Sequence, residues 1–172
     1  MEQIGLLHDG QIYDLQTAEA LNIKGDIIKA DDSKESLEIL RHSCAHMMAQ
    51  AIKELYPEAK FFVGPVVKEG FYYDFKVESK ISDEDLPTIE KKMKEIADRK
   101  LPITRYETTK EEFYEKFKND ELKQAVLKNI KDDTLTIYKQ GDFEDLCRGP
   151  HLPNTRMIRS FKLTRVAGAY LG

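Results

Sequence analysis

No glycine or proline interrupts the chain between Gly25 and Pro57. A breaker-free stretch of that length, with apolar residues at helical spacing, constrains the fold more than any other feature here. Asp32 followed by Glu35 has the form of a capping box, with Asp in the Ser/Thr place. The helix is therefore expected to open there and to stop after Tyr56, where Pro57 follows. At about 100° per residue, Leu37, Leu40, Cys44, Met47, Met48, Ala51 and Leu55 fall on one side. His42 and His46, one turn apart, fall on the opposite side with Glu35, Ala49 and Lys53. That placement argues against two core histidines and leaves two readings: a pair on a solvated polar face, or part of a site. Cys44, on the apolar side, reads as a small core hydrophobe.

The remaining elements are mixed. Ile4 to Leu7 and Gln11 to Tyr13 read as short strands around His8-Asp9-Gly10. Lys60 to Val67 and Phe71 to Val77 read as a hairpin joined through Lys68-Glu69-Gly70. Ser82 to about Lys100 has a helical stripe (Leu86, Ile89, Met93, Ile96), with Pro87 disturbing its first turns. A strand is expected near Ile103 to Tyr106. Thr109 and Glu112 form a second capping-box pattern, opening a helical pair through about Ile130. Strands are expected at Leu135 to Tyr138 and Met157 to Ala169. Hairpin connections without βαβ repetition predict an α+β fold: an antiparallel-rich sheet packed with helices, with the His-x-x-x-His pair on a long helix. Residues 1–32 form a short N-terminal strand region and 33–172 the main domain.

Bulk properties narrow the function classes. No apolar run reaches the roughly 18 residues of a membrane span, and the start lacks a signal-peptide pattern, so the expectation is a cytoplasmic protein with no membrane partner. Two cysteines about a hundred positions apart form no disulfide framework. A net charge of −4 argues against gripping nucleic acid by bulk electrostatics. From Arg148 onward, however, Arg148, Arg156, Arg159, Lys162 and Arg165 meet no acidic residue. Such a segment can follow a phosphate backbone, or be a solvated face balancing Asp83 to Asp85.

A second His/Cys pair with the same spacing lies in Asp145-Leu146-Cys147-Arg148-Gly149-Pro150-His151. Gly149-Pro150 excludes a continuous helix, so a turn must present Cys147 and His151. Together with His42 and His46 they can offer four ligands to zinc, or a base and polar donors to a hydrolytic pocket.

Five motifs in order resemble threonyl-tRNA synthetases of bacterial type: His42-Ser43-Cys44-Ala45-His46-Met47-Met48-Ala49, Val63-Gly64-Pro65-Val66, Gly70-Phe71-Tyr72-Tyr73-Asp74, the segment Asp145 to His151, and the closing Phe161-Lys162-Leu163 with Ala167-Gly168-Ala169-Tyr170. The resemblance covers roughly 33–172 and implies the editing domain that precedes the aminoacylation core. The chain then resembles an excised domain, with ATP binding and aminoacylation in the absent part. Where such enzymes open with a full ubiquitin-like module, only residues 1–32 precede the helix here, so that module is shortened or absent.

The implied activity is hydrolysis of the seryl ester mischarged on threonine tRNA. Losing one methyl contact is worth only about 1–3 kcal/mol, too little for accurate translation from a single binding site. By resemblance, His42 acts as base or positions the water, and His46 holds the amino acid or terminal ribose. Lys123 places a water or stabilises negative charge; on local pattern alone it reads as an exposed helical lysine. Cys147 and His151 complete the cluster. Substrate binding falls to Gly64, Pro65, Tyr73, Asp145 (for the α-ammonium) and Arg148 (for the terminal phosphates). The partner is threonine tRNA, and the full-length family dimerises. No cofactor is required on this reading. The alternative is a free-standing zinc-dependent deacylase of the alanyl type, with zinc at His42, His46, Cys147 and His151.

Overall fold

The computed structural model describes residues 1–167. Three groups of elements surround one long helix. Strands β1 (Gln3–His8) and β2 (Gln11–Asp14) make a hairpin about Asp9-Gly10, both with positive φ, the geometry of a two-residue turn that matches strand twist. Asp14 then caps the short helix α1 (Leu15–Ala20) by accepting the Thr17 N–H. Strand β3 (Asp26–Lys29) returns to the other edge of β1, giving the order β2-β1-β3. Neither α1 nor β3 is signalled clearly by the sequence pattern.

Helix α2 (Lys34–Leu55) is the expected long helix, with its cap shifted by one residue. Ser33, not Asp32, adopts the extended capping conformation, and its side chain accepts the Ser36 N–H. Beyond α2, the expected hairpin forms in two pieces: β4 (Lys60–Phe61) pairs with β7 (Phe75–Lys76), and β5 (Val66–Val67) with β6 (Gly70–Phe71). Partner numbers sum to 136 in the first pair and 137 in the second, so one strand carries an extra residue between them. This is a bulge at 62–65, the Gly64-Pro65 region, bridged by Phe62 N–H to Asp74 O and Asp74 N–H to Val63 O.

Helix α3 (Leu86–Asp98) carries its stripe inward and tolerates Pro87 because proline falls in its first turn, where the lost N–H is not needed. Strand β8 (Thr104–Thr109) leads to α4 (Lys110–Lys116), then α5 (Glu121–Lys128), β9 (Thr134–Gln140) and β10 (Phe143–Leu146), in the sheet order β10-β9-β8. Thr109 caps α4 as expected, but the Glu112 carboxylate accepts from Thr108, so the reciprocal half of the box is not made. The expected strand at Met157 to Ala169 is not observed among the described residues. Thr155–Met157 is a 3-10 turn and the chain then runs irregularly, while the last residues of that span lie outside the described ones.

Strand β9 is buried on both faces. Leu135 and Ile137 join Phe113 and Leu127 in a small cluster under α4 and α5. Tyr138 faces the main core with Ile39, Met47, Ile89, Met93 and Ile96. Ile4 and Ile28 of the N-terminal strands belong to that same core. The α+β expectation holds: helices pack on antiparallel sheets. Among the described residues, no helix is long and apolar enough to cross a membrane.

Candidate functional site

Helix α2 is buried on both sides where it passes the β10-β9-β8 sheet. Ala45, Met47, Ala51 and Ile52 lie fully buried in the main core, Leu40, Met48 and Leu55 only half-buried against it, and the face carrying His46 and Ala49 is covered by β10 and the turn after it. The helical wheel misjudges which side is buried: Leu37, Leu40, Met48 and Leu55 of its apolar side are half-buried, whereas Ile39, Ser43, His46 and Gln50 on the histidine side are fully buried, His46 at 4% exposure, and His42 is half-buried. The covering strand has its own alternation. Phe143, Asp145 and Cys147 share one face, and side chains two apart on a strand point the same way. Asp145 and Cys147 are thereby aimed at α2.

The turn 147–151 then brings His151 back across Cys147. Cys147 Sγ lies 3.2 Å from His151 Nε2 and accepts the Gly149 N–H at 3.3 Å. Gly149 has φ +79, and a Cβ there would lie 2.4 Å from the Tyr138 hydroxyl, so only glycine fits. The ring of His151 sits 4.3 Å from that of His46 and 5.9 Å from that of His42, centroid to centroid. All four residues of the two pairs thus converge. His46, Cys147 and His151 each bring one ligand-type atom within 4.8 Å of the others, a set that fits a soft divalent ion such as zinc; His42 is not in that group.

Burial sets the chemistry of these groups. It lowers the pKa of His42, brings His46 down to about 4 and holds His151 well below the usual histidine range. All three imidazoles are therefore neutral at pH 7. His46 Nδ1 is buried without a hydrogen-bond partner among the described residues. Burial also pushes the Cys147 thiol up to about 12, so without a bound metal it stays protonated.

A second layer stands behind the histidines. Asp145, 2% exposed, takes the ammonium of Lys123 on Oδ1 and the hydroxyl of Tyr73 on Oδ2, and Oδ1 also accepts the Leu146 N–H. Lys123 is 3% exposed, which corrects its reading as a surface lysine. Its helix is placed by Asp120, which caps α5, and by Glu121, which bridges Lys60 and Lys76 of the hairpin. Those contacts, Lys60 first, bring Glu121 down to about 2. Tyr73 reaches Asp145 because Gly64 yields the space: a Cβ on Gly64 would lie 2.4 Å from the Tyr73 ring. Gly64 and Pro65, in the bulge, thus shape the hairpin around Tyr73. Arg148 is exposed at the rim, 4.0 Å from Asp132.

One buried residue of this assembly is absent from the sequence expectations. Asp14 accepts from Tyr138 Oη and from the His151 backbone N–H at 2.9 Å, while its other oxygen caps α1. The sequence offers one clue, an acid three residues before Thr17 at the end of a strand, but that reads as an ordinary cap.

Residues 135–169, which carry β9, β10 and the Cys-x-x-x-His turn facing the histidine pair, match the second additional domain of threonyl and alanyl tRNA synthetases. Along 171 residues, 99% of its length, the chain is 64% identical to the threonine–tRNA ligase of Helicobacter hepaticus, of which this is 28%. It is 72% identical over 142 residues to that of Campylobacter lari, covering 83% of this chain and 24% of that one. For Nautilia profundicola the identity is 64% over 170 residues, 98% of this chain and 28% of the relative. The chain belongs to the threonine–tRNA ligase family and spans about a quarter of the length of these relatives.

Proposed function

We propose that this chain is a post-transfer editing deacylase that hydrolyses the seryl ester on threonine tRNA. The observation that carries the reading is the cluster of neutral imidazoles, with half-buried His42 nearest the solvent, in front of a buried Lys123–Asp145 pair in a chain of this family. A neutral imidazole at pH 7 can accept a proton. In the proposed reaction, water attacks the seryl carbonyl carbon while His42 takes its proton. The ester carbon–oxygen bond breaks, and the proton passes to the departing ribose oxygen. Products are serine and uncharged tRNA.

His46, buried and uncharged, serves as a hydrogen-bond partner for the amino acid or terminal ribose. Tyr73 and Lys123 fix the Asp145 carboxylate, which attracts the α-ammonium of the seryl group. Threonine is refused sterically, through its additional methyl group. Arg148 at the rim meets the terminal phosphates, in a cytoplasmic enzyme whose full-length form is dimeric.

No resident metal is required on this reading. A second reading, a zinc-dependent deacylase of the alanyl type, is favoured by the convergence of His46, Cys147 and His151. Zinc held by those three would lower the pKa of a bound water. The two are separated by measuring deacylation of seryl and threonyl esters of threonine tRNA, with and without a chelator. The first reading expects hydrolysis of the seryl ester alone, unaffected by chelation. Equal rates on both esters, or folded protein with no activity, refute it; activity lost with stoichiometric zinc supports the second.

A further inference from the structure

Ser43 lies between the two helical histidines and is fully buried. A serine inside a helix commonly donates back to a carbonyl one turn earlier. This one has two other hydrogen-bond partners among the described residues. Its oxygen accepts the Leu152 N–H at 2.8 Å, and it faces His151 Nδ1 at 3.1 Å. A backbone N–H can only donate, so Leu152 occupies a lone pair of the hydroxyl. The hydroxyl hydrogen then has one acceptor beside it, Nδ1. An Nδ1 that accepts carries no hydrogen, and in a neutral imidazole the ring hydrogen must then be on Nε2.

We propose that Ser43 is a positioning residue that holds His151 in its Nε2–H tautomer, so that the His151 edge facing Cys147 is a hydrogen-bond donor. The sulfur, 3.2 Å from Nε2, then receives two N–H groups, from His151 and from Gly149. Asp14, through the backbone N–H, and the Tyr138 ring, 4.4 Å from the imidazole centroid, keep His151 where this hydroxyl can reach it. Two consequences follow for the site. His151 is not the group that takes the proton from water, which leaves that step to the helical histidines, on the reading above to His42. Nor can Nε2 ligate a metal until the ring changes tautomer and Ser43 ceases to donate.

The catalytic consequence rests on the editing reading above, whereas the tautomer itself does not. The test is a long-range proton–nitrogen NMR correlation on the 15N-labelled chain at pH 7. It is expected to show His151 with a pyrrole-type Nε2 and a pyridine-type Nδ1. In Ser43→Ala that pattern is expected to collapse towards mixed tautomers. Where the seryl ester is a substrate, kcat should fall about tenfold with KM nearly unchanged, about the worth of one hydrogen bond. A hydrogen on Nδ1 in the unmodified chain, a zinc-bound Nε2, or an unchanged His151 spectrum in Ser43→Ala would overturn the proposal. If Ser43→Ala does not fold, the spectrum of the unmodified chain decides alone. Absence of deacylation with the expected spectrum refutes the editing reading and leaves the tautomer standing.

Discussion

Replacing Lys123 by methionine isolates the role of the buried ion pair. The side chains of Lys123 and Asp145 are 4% and 2% exposed, so water cannot replace the ammonium once it is gone. Asp145 would keep the Tyr73 hydroxyl and the Leu146 N–H but lose its counter-charge. Breaking a buried pair from one side costs about 3–5 kcal/mol. The two surviving hydrogen bonds place the expected loss at the lower end, about 3 kcal/mol, a large share of the roughly 5–15 kcal/mol that stabilises a domain. With a urea slope of about 2 kcal/mol/M, the midpoint should fall by about 1.5 M. Adding Asp145→Asn removes the stranded charge while leaving an oxygen for Tyr73. The double variant should therefore be more stable than Lys123→Met alone, by about 1–2 kcal/mol. The assay is urea unfolding of the unmodified chain, both single variants and the double variant. Additive losses, or a midpoint in Lys123→Met within experimental error of the unmodified chain, would refute the account of a mutually dependent buried pair.

Gly64→Ala drives a methyl group into the Tyr73 ring, 2.4 Å from its nearest atom, and should cost about 1–3 kcal/mol with a changed near-UV circular dichroism signal from the tyrosines. An unaltered spectrum would mean the bulge, not the ring, absorbs the methyl group. Stability should also fall as pH is lowered. His46 has a folded pKa of about 4 against 6.5 when unfolded, so the unfolded chain binds the proton first, and the contribution is full above 6.5 and lost between there and about 4. The slope of urea midpoint against pH in that window should be shallower in His46→Gln. Asp14→Ala leaves the His151 and Thr17 N–H groups without their acceptor, while the Tyr138 hydroxyl keeps Thr17 Oγ1, and should cost about 2–3 kcal/mol in the same unfolding assay, against about 1 kcal/mol for an ordinary lost cap.

What the sequence disclosed about the fold depended on whether a signal was local. Helix α2 could be read because its stripe and Pro57 lie within one continuous stretch, and the first hairpin because Asp9-Gly10 has turn chemistry of its own. The convergence of His42, His46, Cys147 and His151 was legible as two spacings and a turn. Burial of the histidine face was not, since β10 supplies the cover and only tertiary packing brings it there. Lys123 was misread for the same reason: nothing in Glu121-Leu122-Lys123 signals an aspartate twenty-two residues later. Alternation through Phe143, Asp145 and Cys147 is present in the sequence, but it spans too few residues to signal β10, and only the turn imposed by Gly149-Pro150 stands out there. The missing last strand shows the opposite error, where alternating residues form contacts without a ladder partner.

The stitch between Asp14 and His151 also bears on when the site can come into being. Those residues are 137 positions apart, Thr17 and Tyr138 are 121 apart, and Ser43 and His151 are 108 apart. During synthesis, the first hairpin and the long helix emerge well before their partners. The histidines of α2 must wait, without their cover, until the last fifth of this sequence has been made. Contacts of such separation close loops at high entropic cost and set a slow folding rate. The candidate site is therefore expected to be among the last features of these 172 residues to be completed, with His42 and His46 uncovered until the 147–151 turn arrives to close it.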